Sequence, residues 1–165
     1  MQGLNVPLYA IRGHLATLIT LSHEALAARA PDVSFIHVFP GAVKTALFDH
    51  MPGVIRVALR CFSTVAERWL CVPIGESGER NVFFATSGAY SAREGSGKNG
   101  VELGESVGFA RSVDGNTGGG VYSIDYDGTE AGQSIVDLLE QYRKEGMVET
   151  VWEHTQEEFE RITGS

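Results

Sequence analysis

The stretch HVFPGAVKT, residues 37–45, holds the most suggestive chemistry in the chain. It continues the apolar run VSFI, which starts just after Pro31. A proline and a glycine at the end of such a run stop a sheet abruptly and free the following backbone groups to face a ligand. A plain turn linking a strand to a helix would use the same residues, so the neighbouring elements must decide between the two.

Other side chains of chemical type say less. Glu153, Glu157, Glu158 and Glu160, with Arg161, read as the solvated face of a helix, since no apolar pocket is implied that would raise one carboxyl pKa for acid–base work. Asp125 and Asp127 flank Tyr126 at a strand end, where a metal can sit, yet a strand followed by an Asp127–Gly128 turn accounts for both. Ser22 and His23 are adjacent on a helix and diverge, which argues against a nucleophile and base. Cys61 and Cys71 lie ten apart in an apolar stretch without CxxC spacing or histidines that would complete a metal site. They read as buried free thiols, and no metal is expected.

The elements that must position these residues follow from periodicity. Between Ala10 and Ala30, Leu15, Leu18, Ile19, Leu21, Ala25, Leu26 and Ala28 recur at helical steps, and Pro31 ends the helix. Val33 to Phe39 is a near-continuous apolar run with β-branched and aromatic members. It reads as a strand covered on both faces, the kind that is usually parallel. Pro52 to Val72 is apolar with a thin polar face and forms one helix or two. Glu76 to Ala85 is helical again. Residues 87–120 form a glycine-rich loop region, with short strands expected at Val101–Leu103 and Phe109–Arg111. Val121 to Tyr126 is a strand with Tyr122, Ile124 and Tyr126 on one face. Ile135, Leu138, Leu139 and Tyr142 mark the next helix. The last helix, after Gly146, is expected in two pieces meeting at His154, because Thr155 and Glu158 fit a capping box.

This order is α/β, with few strands and several covering helices. The whole chain, 1–165, reads as a single partial domain, because two clear strands are fewer than the five or six of a common open parallel sheet. Thirteen basic against twenty-one acidic side chains give a formal charge of −8. That balance repels polyphosphate backbones and anionic lipids, so nucleic acid and membrane are not expected partners. No apolar run reaches the length of a membrane span, and no secretory signal opens the chain, so a cytoplasmic location is expected.

From about Tyr9 to Thr45, and more weakly beyond, the chain resembles the short-chain dehydrogenase/reductase superfamily, in particular a divergent fungal group. The likeness rests on a long helix leading into a buried strand that ends in Pro40-Gly41-Ala42-Val43-Lys44-Thr45. It implies the C-terminal half of a Rossmann-like parallel-sheet domain. The backbone at Val43 and the Thr45 hydroxyl, carried by the Pro40–Gly41 corner, would approach the nicotinamide carboxamide and nearby phosphate of NAD or NADP. By the same resemblance Tyr9 is the catalytic tyrosine, 31 residues before Pro40. The lysine of the family's Tyr-x-x-x-Lys is replaced by Gly13. Arg12 and His14 flank it but point about 100° away on a helix. His14 can serve as a proton relay in the assembled site or simply pack on the first turn.

A dinucleotide fold also needs a glycine-rich turn between a strand and a helix. Gly95, Gly97 and Gly100, and the run 115–120, do not follow a strand and open a helix, so they read as loop chemistry. Two functions therefore stay open. One is an NAD(P)-dependent oxidoreductase interconverting a carbonyl and a secondary alcohol on a small apolar substrate of fungal secondary metabolism, with residues 51–72 as the apolar wall of the substrate site. This chain is expected to be inactive alone and to self-associate through the exposed half-sheet. The other is a truncated non-catalytic relative, vestigial or dependent on a partner.

Overall fold

The structure, a computed structural model, describes residues 8–43, 53, 54, 57, 71–94, 100–104 and 107–164. Side chains are described from residue 11 onward. Helix α1 runs Leu8–Arg29. Its last carbonyls are met by the Ala30 amide, which donates to the Leu26 oxygen (2.8 Å), and by the Arg29 guanidinium, which donates to the Ala25 oxygen (2.9 Å). Pro31 has no amide hydrogen to continue the ladder, so the helix ends where the sequence predicts.

Strand β1, Phe35–Val38, is shorter than the expected Val33–Phe39. The corner strands β2, Ala42–Val43, and β3, Cys71–Val72, come next. They are followed by α2, Ile74–Thr86. Strand β4 is Val121–Ile124, and helices α3, Gln133–Lys144, and α4, Met147–Thr163, close the order. Gly146 between α3 and α4 has φ +74°, the left-handed conformation that ends a helix and that only glycine adopts without strain.

Strands β1 and β4 pair in parallel, with Phe35 opposite Val121 and Val38 opposite Ile124. Side chains alternate between the faces of this pair, and a core lies on each. On one face Phe35 and Val121 join Leu21 and Ala27 of α1, Leu139 of α3 and Val151 of α4. On the other, Ile36, Val38, Tyr122 and Ile124 meet Phe84 of α2 with Ala89, Tyr90 and Ala110. The expected covering of β1 on both faces is what the structure shows, and the fold is α/β with small parallel sheets, consistent with a partial Rossmann-like domain.

Four details differ from expectation. Cys71–Val72, expected at the end of the helix over Pro52–Val72, is instead strand β3, because its backbone pairs with Ala42–Val43. The strand carrying Tyr122 and Ile124 stops at Ile124, so Tyr126 stands in the following turn. Helix α4 is continuous through His154, because the Thr155 hydroxyl bonds back to the Val151 carbonyl (2.7 Å) instead of capping a new start. The short strands expected in the loop region reduce to single bridges, Ser87 with Val101 and Arg111 with Thr117. That region is nonetheless interior in part: Ala89, Tyr90, Ala110 and Val113 are all buried.

One buried ion pair ties the helical layer together. Arg143 of α3 grips Glu24 of α1 through two hydrogen bonds, 2.7 and 2.9 Å, and donates a third to the Val113 carbonyl (2.9 Å). Glu24 is 9% exposed, and its carboxylate is matched by charge and geometry.

Candidate functional site

The chain leaves β1 through Phe39, Pro40 and Gly41 and turns into β2, which pairs in parallel with β3, Ala42 opposite Cys71 and Val43 opposite Val72. The corner therefore sits at the carboxyl end of β1, where open α/β sheets present their ligands. Gly41 is required there twice. Its φ is +71°, and a Cβ on it would stand 3.1–3.2 Å from the Cβ and the near ring edge of Tyr126. Tyr126 thus presses on the corner from the carboxyl end of β4.

Two guanidinium groups hold the aromatic rings of this region. Arg12 of α1 lies over Phe39, 4.7 Å from its centroid. Arg80 of α2 lies 5.3 Å over Tyr126, donates to the Tyr126 carbonyl (2.8 Å) and pairs with Glu76. The turn beyond β4 is fixed by its own carboxylates. Asp125 accepts from the Tyr126 amide (3.2 Å), and Asp127 accepts from the Thr129 amide (2.9 Å). The Thr129 bonds hold the Asp127 carboxyl below the usual carboxylate range. Gly128, at φ +85°, completes the turn. Among the described residues no group of three or more His, Cys, Asp or Glu is placed to hold a metal ion.

The sequence-predicted site residues fall as follows. Pro40, Gly41 and Val43 form the corner, with Pro40 exposed and Val43 half-buried. Thr45 lies outside the described residues. Tyr9 belongs to the first turn of α1, and its side chain lies outside the described residues. His14 is exposed on α1. Residues 51–70 of the expected substrate wall lie almost entirely outside the described residues, as does Cys61, while Cys71 is a free, half-buried thiol. Sequence reasoning missed Arg80 and Tyr126 as parts of the corner. A signal existed for Tyr126 alone, as the aromatic beside an Asp-Gly turn.

Beside the corner runs a cleft of about 320 Å³ between α1 and the segment 123–132. Gly13, Thr17 and Thr20 line it from α1, Phe39 from the end of β1, and Ser123 and Glu130 from β4 and its turn. Among the described residues a Cβ on Gly13 would meet nothing within 4 Å, so the position of the family's lysine opens onto space there. A larger groove of about 780 Å³ lies on the opposite face, lined by Asp32, Ser34, Ile36, Asn81 and Phe84 among others. It runs along β1 from Asp32 to Val38, on the face that α2 packs against.

The glycine run 115–120 cradles protein rather than an open space. A Cβ on Gly119 would collide with the Ser112 hydroxyl and the Asp114 carboxylate, and one on Gly120 would stand 2.9 Å from the Arg93 amide nitrogen. The run also precedes β4 instead of following a strand into a helix, so it offers no seat for a pyrophosphate, as its sequence suggests.

Among the described residues no helix is long and apolar enough to cross a membrane. No family model matches the chain, and no solved structure matches it. Curated relatives do. It is 35% identical over 166 residues to the oxidoreductase andH of Emericella variicolor, an alignment covering 96% of this chain and 46% of that protein. It is 34% identical over 144 residues to the oxidoreductase AN1596 of Emericella nidulans, covering 87% of this chain and 42% of the relative. A third relative, the NmrA-like family domain-containing oxidoreductase notO of an Aspergillus species, is 30% identical over 143 residues, or 87% of this chain and 37% of its own. Over most of its length the chain is thus similar to fungal oxidoreductases, one of them NmrA-like, and it spans less than half the length of each.

Proposed function

We propose that the chain carries the nicotinamide end of an NAD(P)-dependent oxidoreductase of the short-chain dehydrogenase/reductase type, which interconverts a carbonyl and a secondary alcohol on a small apolar molecule of fungal secondary metabolism. The observation that carries this reading is the Pro40–Gly41 corner at the carboxyl end of a parallel strand, with Gly41 pinned against Tyr126. Its support from relatives is their description as oxidoreductases. The fit to a dinucleotide is partial. The corner suits the nicotinamide end, while the described residues offer no glycine turn for the pyrophosphate.

When bound, the nicotinamide gives or takes a hydride. The residues of this chain position it and move the proton. The backbone at Val43 and the Thr45 hydroxyl hold the carboxamide. Tyr9 exchanges a proton with the substrate oxygen, a task that needs a nearby cation to lower the phenol pKa. Gly13 supplies none. Arg12, stacked on Phe39 one residue before Pro40, brings positive charge to the corner instead.

The reading is tested by nuclear magnetic resonance titration of the chain with the two halves of the cofactor. Nicotinamide mononucleotide should shift the amides of Phe39, Gly41, Ala42 and Val43, whereas adenosine monophosphate should leave them in place. Absence of a saturable shift at the corner would overturn it. The packed glycine run favours a second reading, a non-catalytic relative, for which neither nucleotide half nor intact NADPH binds.

A further inference from the structure

We infer that the cleft between α1 and the segment 123–132 binds a small molecule with an apolar body and a hydrogen-bond donor, neutral or cationic, and rejects anions. The inference goes beyond the cofactor reading and does not require it. The shape comes first. About 320 Å³ falls within the range of small-ligand pockets, and Phe39, Ile135 and Leu139 supply apolar surface. Gly13 leaves space where any other residue of α1 would place a side chain.

The polar groups then select the ligand. The Thr17 and Thr20 hydroxyls spend their protons on the helix carbonyls of Gly13 (2.9 Å) and Ala16 (2.8 Å). They therefore turn only acceptor lone pairs to other partners. Asp125 and Glu130 add carboxylates, and among the described residues no lysine, arginine or histidine is in the lining. Among the described residues, Arg111 beside the lining is engaged by Glu130, Gln133 and the Ala131 carbonyl, and Arg12 lies over the Phe39 ring at the corner end of the cleft. Of the other lining hydroxyls, Thr129 bonds Asp127, and Ser123 is left able to donate. A phosphate or carboxylate would thus meet mainly acceptors and like charge, whereas an alcohol or ammonium would satisfy them.

Three probes of one ring size separate these cases: cyclohexanol, cyclohexylammonium and cyclohexanecarboxylate, each titrated into the full chain by amide shift mapping. The first two should give saturable shifts at Ala16, Thr17, Ser123 and Ala131, and the carboxylate should bind at least tenfold more weakly. Gly13→Leu, which fills the cleft from a helical position, should weaken the first two at least tenfold while the melting temperature holds or rises. The inference fails if neither donor probe saturates, if the carboxylate binds as well as they do, or if the folded Gly13→Leu protein binds them unchanged. These shifts are read at α1 and the 123–132 segment, so they stand or fall separately from nicotinamide mononucleotide at the corner.

Discussion

Gly41 joins a backbone requirement to a steric one, and substitution can separate them. Gly41→Ala puts a Cβ at φ +71° and against the Tyr126 ring. The left-handed conformation alone costs about 1–2 kcal/mol. The contact adds to it unless the ring shifts by a few tenths of an ångström. In urea denaturation Gly41→Ala should lose at least the backbone share. In a Tyr126→Gly background, which removes the Cβ as well as the ring, the steric share should vanish and the backbone share remain, and a loss that disappears entirely in that background would show that φ is not what demands glycine. A proline and glycine after an apolar run announced this corner in the sequence. What the sequence could not reveal was the partner, because Tyr126 lies 85 residues away and reaches Gly41 only once β1 and β4 pair.

At the level of elements, periodicity located α1 to α4 and both four-residue strands, since apolar spacing is set by the face each one buries, whereas the helix expected over Pro52–Val72 gives way to strand β3 at Cys71–Val72. Its errors came from choices that depend on neighbours. Thr155 and Glu158 have the spacing of a cap, but the Thr155 hydroxyl found the Val151 carbonyl, so α4 runs unbroken. The glycine-rich region reads as surface loop by composition, yet contributes Tyr90 and Val113 to the two cores. The contact of α1 with β1 hides another feature without a sequence signal. His23 of α1 packs on Phe35 with ring centroids 5.8 Å apart, near His37 of β1, and the Nδ1 of each imidazole is buried without a partner. Burial holds both pKa values below the usual histidine range, and His37 lowers that of His23 further. The unfolded chain therefore binds more protons than the folded one as pH falls below about 6.5, the ordinary histidine value. This part of the stability is complete above that value and is lost as the pH drops through it toward the folded-state values. Thermal melts should show a lower transition at pH 5.5 than at pH 7.5, and the double variant His23→Gln/His37→Asn should flatten the difference. An unchanged pH slope in the double variant would assign the effect to other groups.

For the molecule as a whole, the paired strands β1 and β4 are a partition with a core on either side. The loop segment at Val113 leans on the outer side of β4 through the bond from the Val113 amide to the Val121 carbonyl (2.9 Å), and Arg143 binds the Val113 carbonyl in turn. Helices α1, α3 and α4 on one face and α2 on the other thus converge on the same few strand residues. The partition has a consequence in time. Neither core can open while the other keeps the shared rungs in place, so the two halves of the molecule should lose protection together. The amide hydrogens of Phe35, which bonds the Gly120 oxygen, of Phe39, which bonds the Ile124 oxygen, and of Val113 should exchange with solvent deuterium only when the entire chain unfolds. Their exchange free energies should coincide and match the stability from denaturant melts, while those of the exposed end of α4 around Ile162 fall well below. Separate plateaus for the Phe39 and Val113 amides would reveal two cooperative units that merely touch along a strand pair.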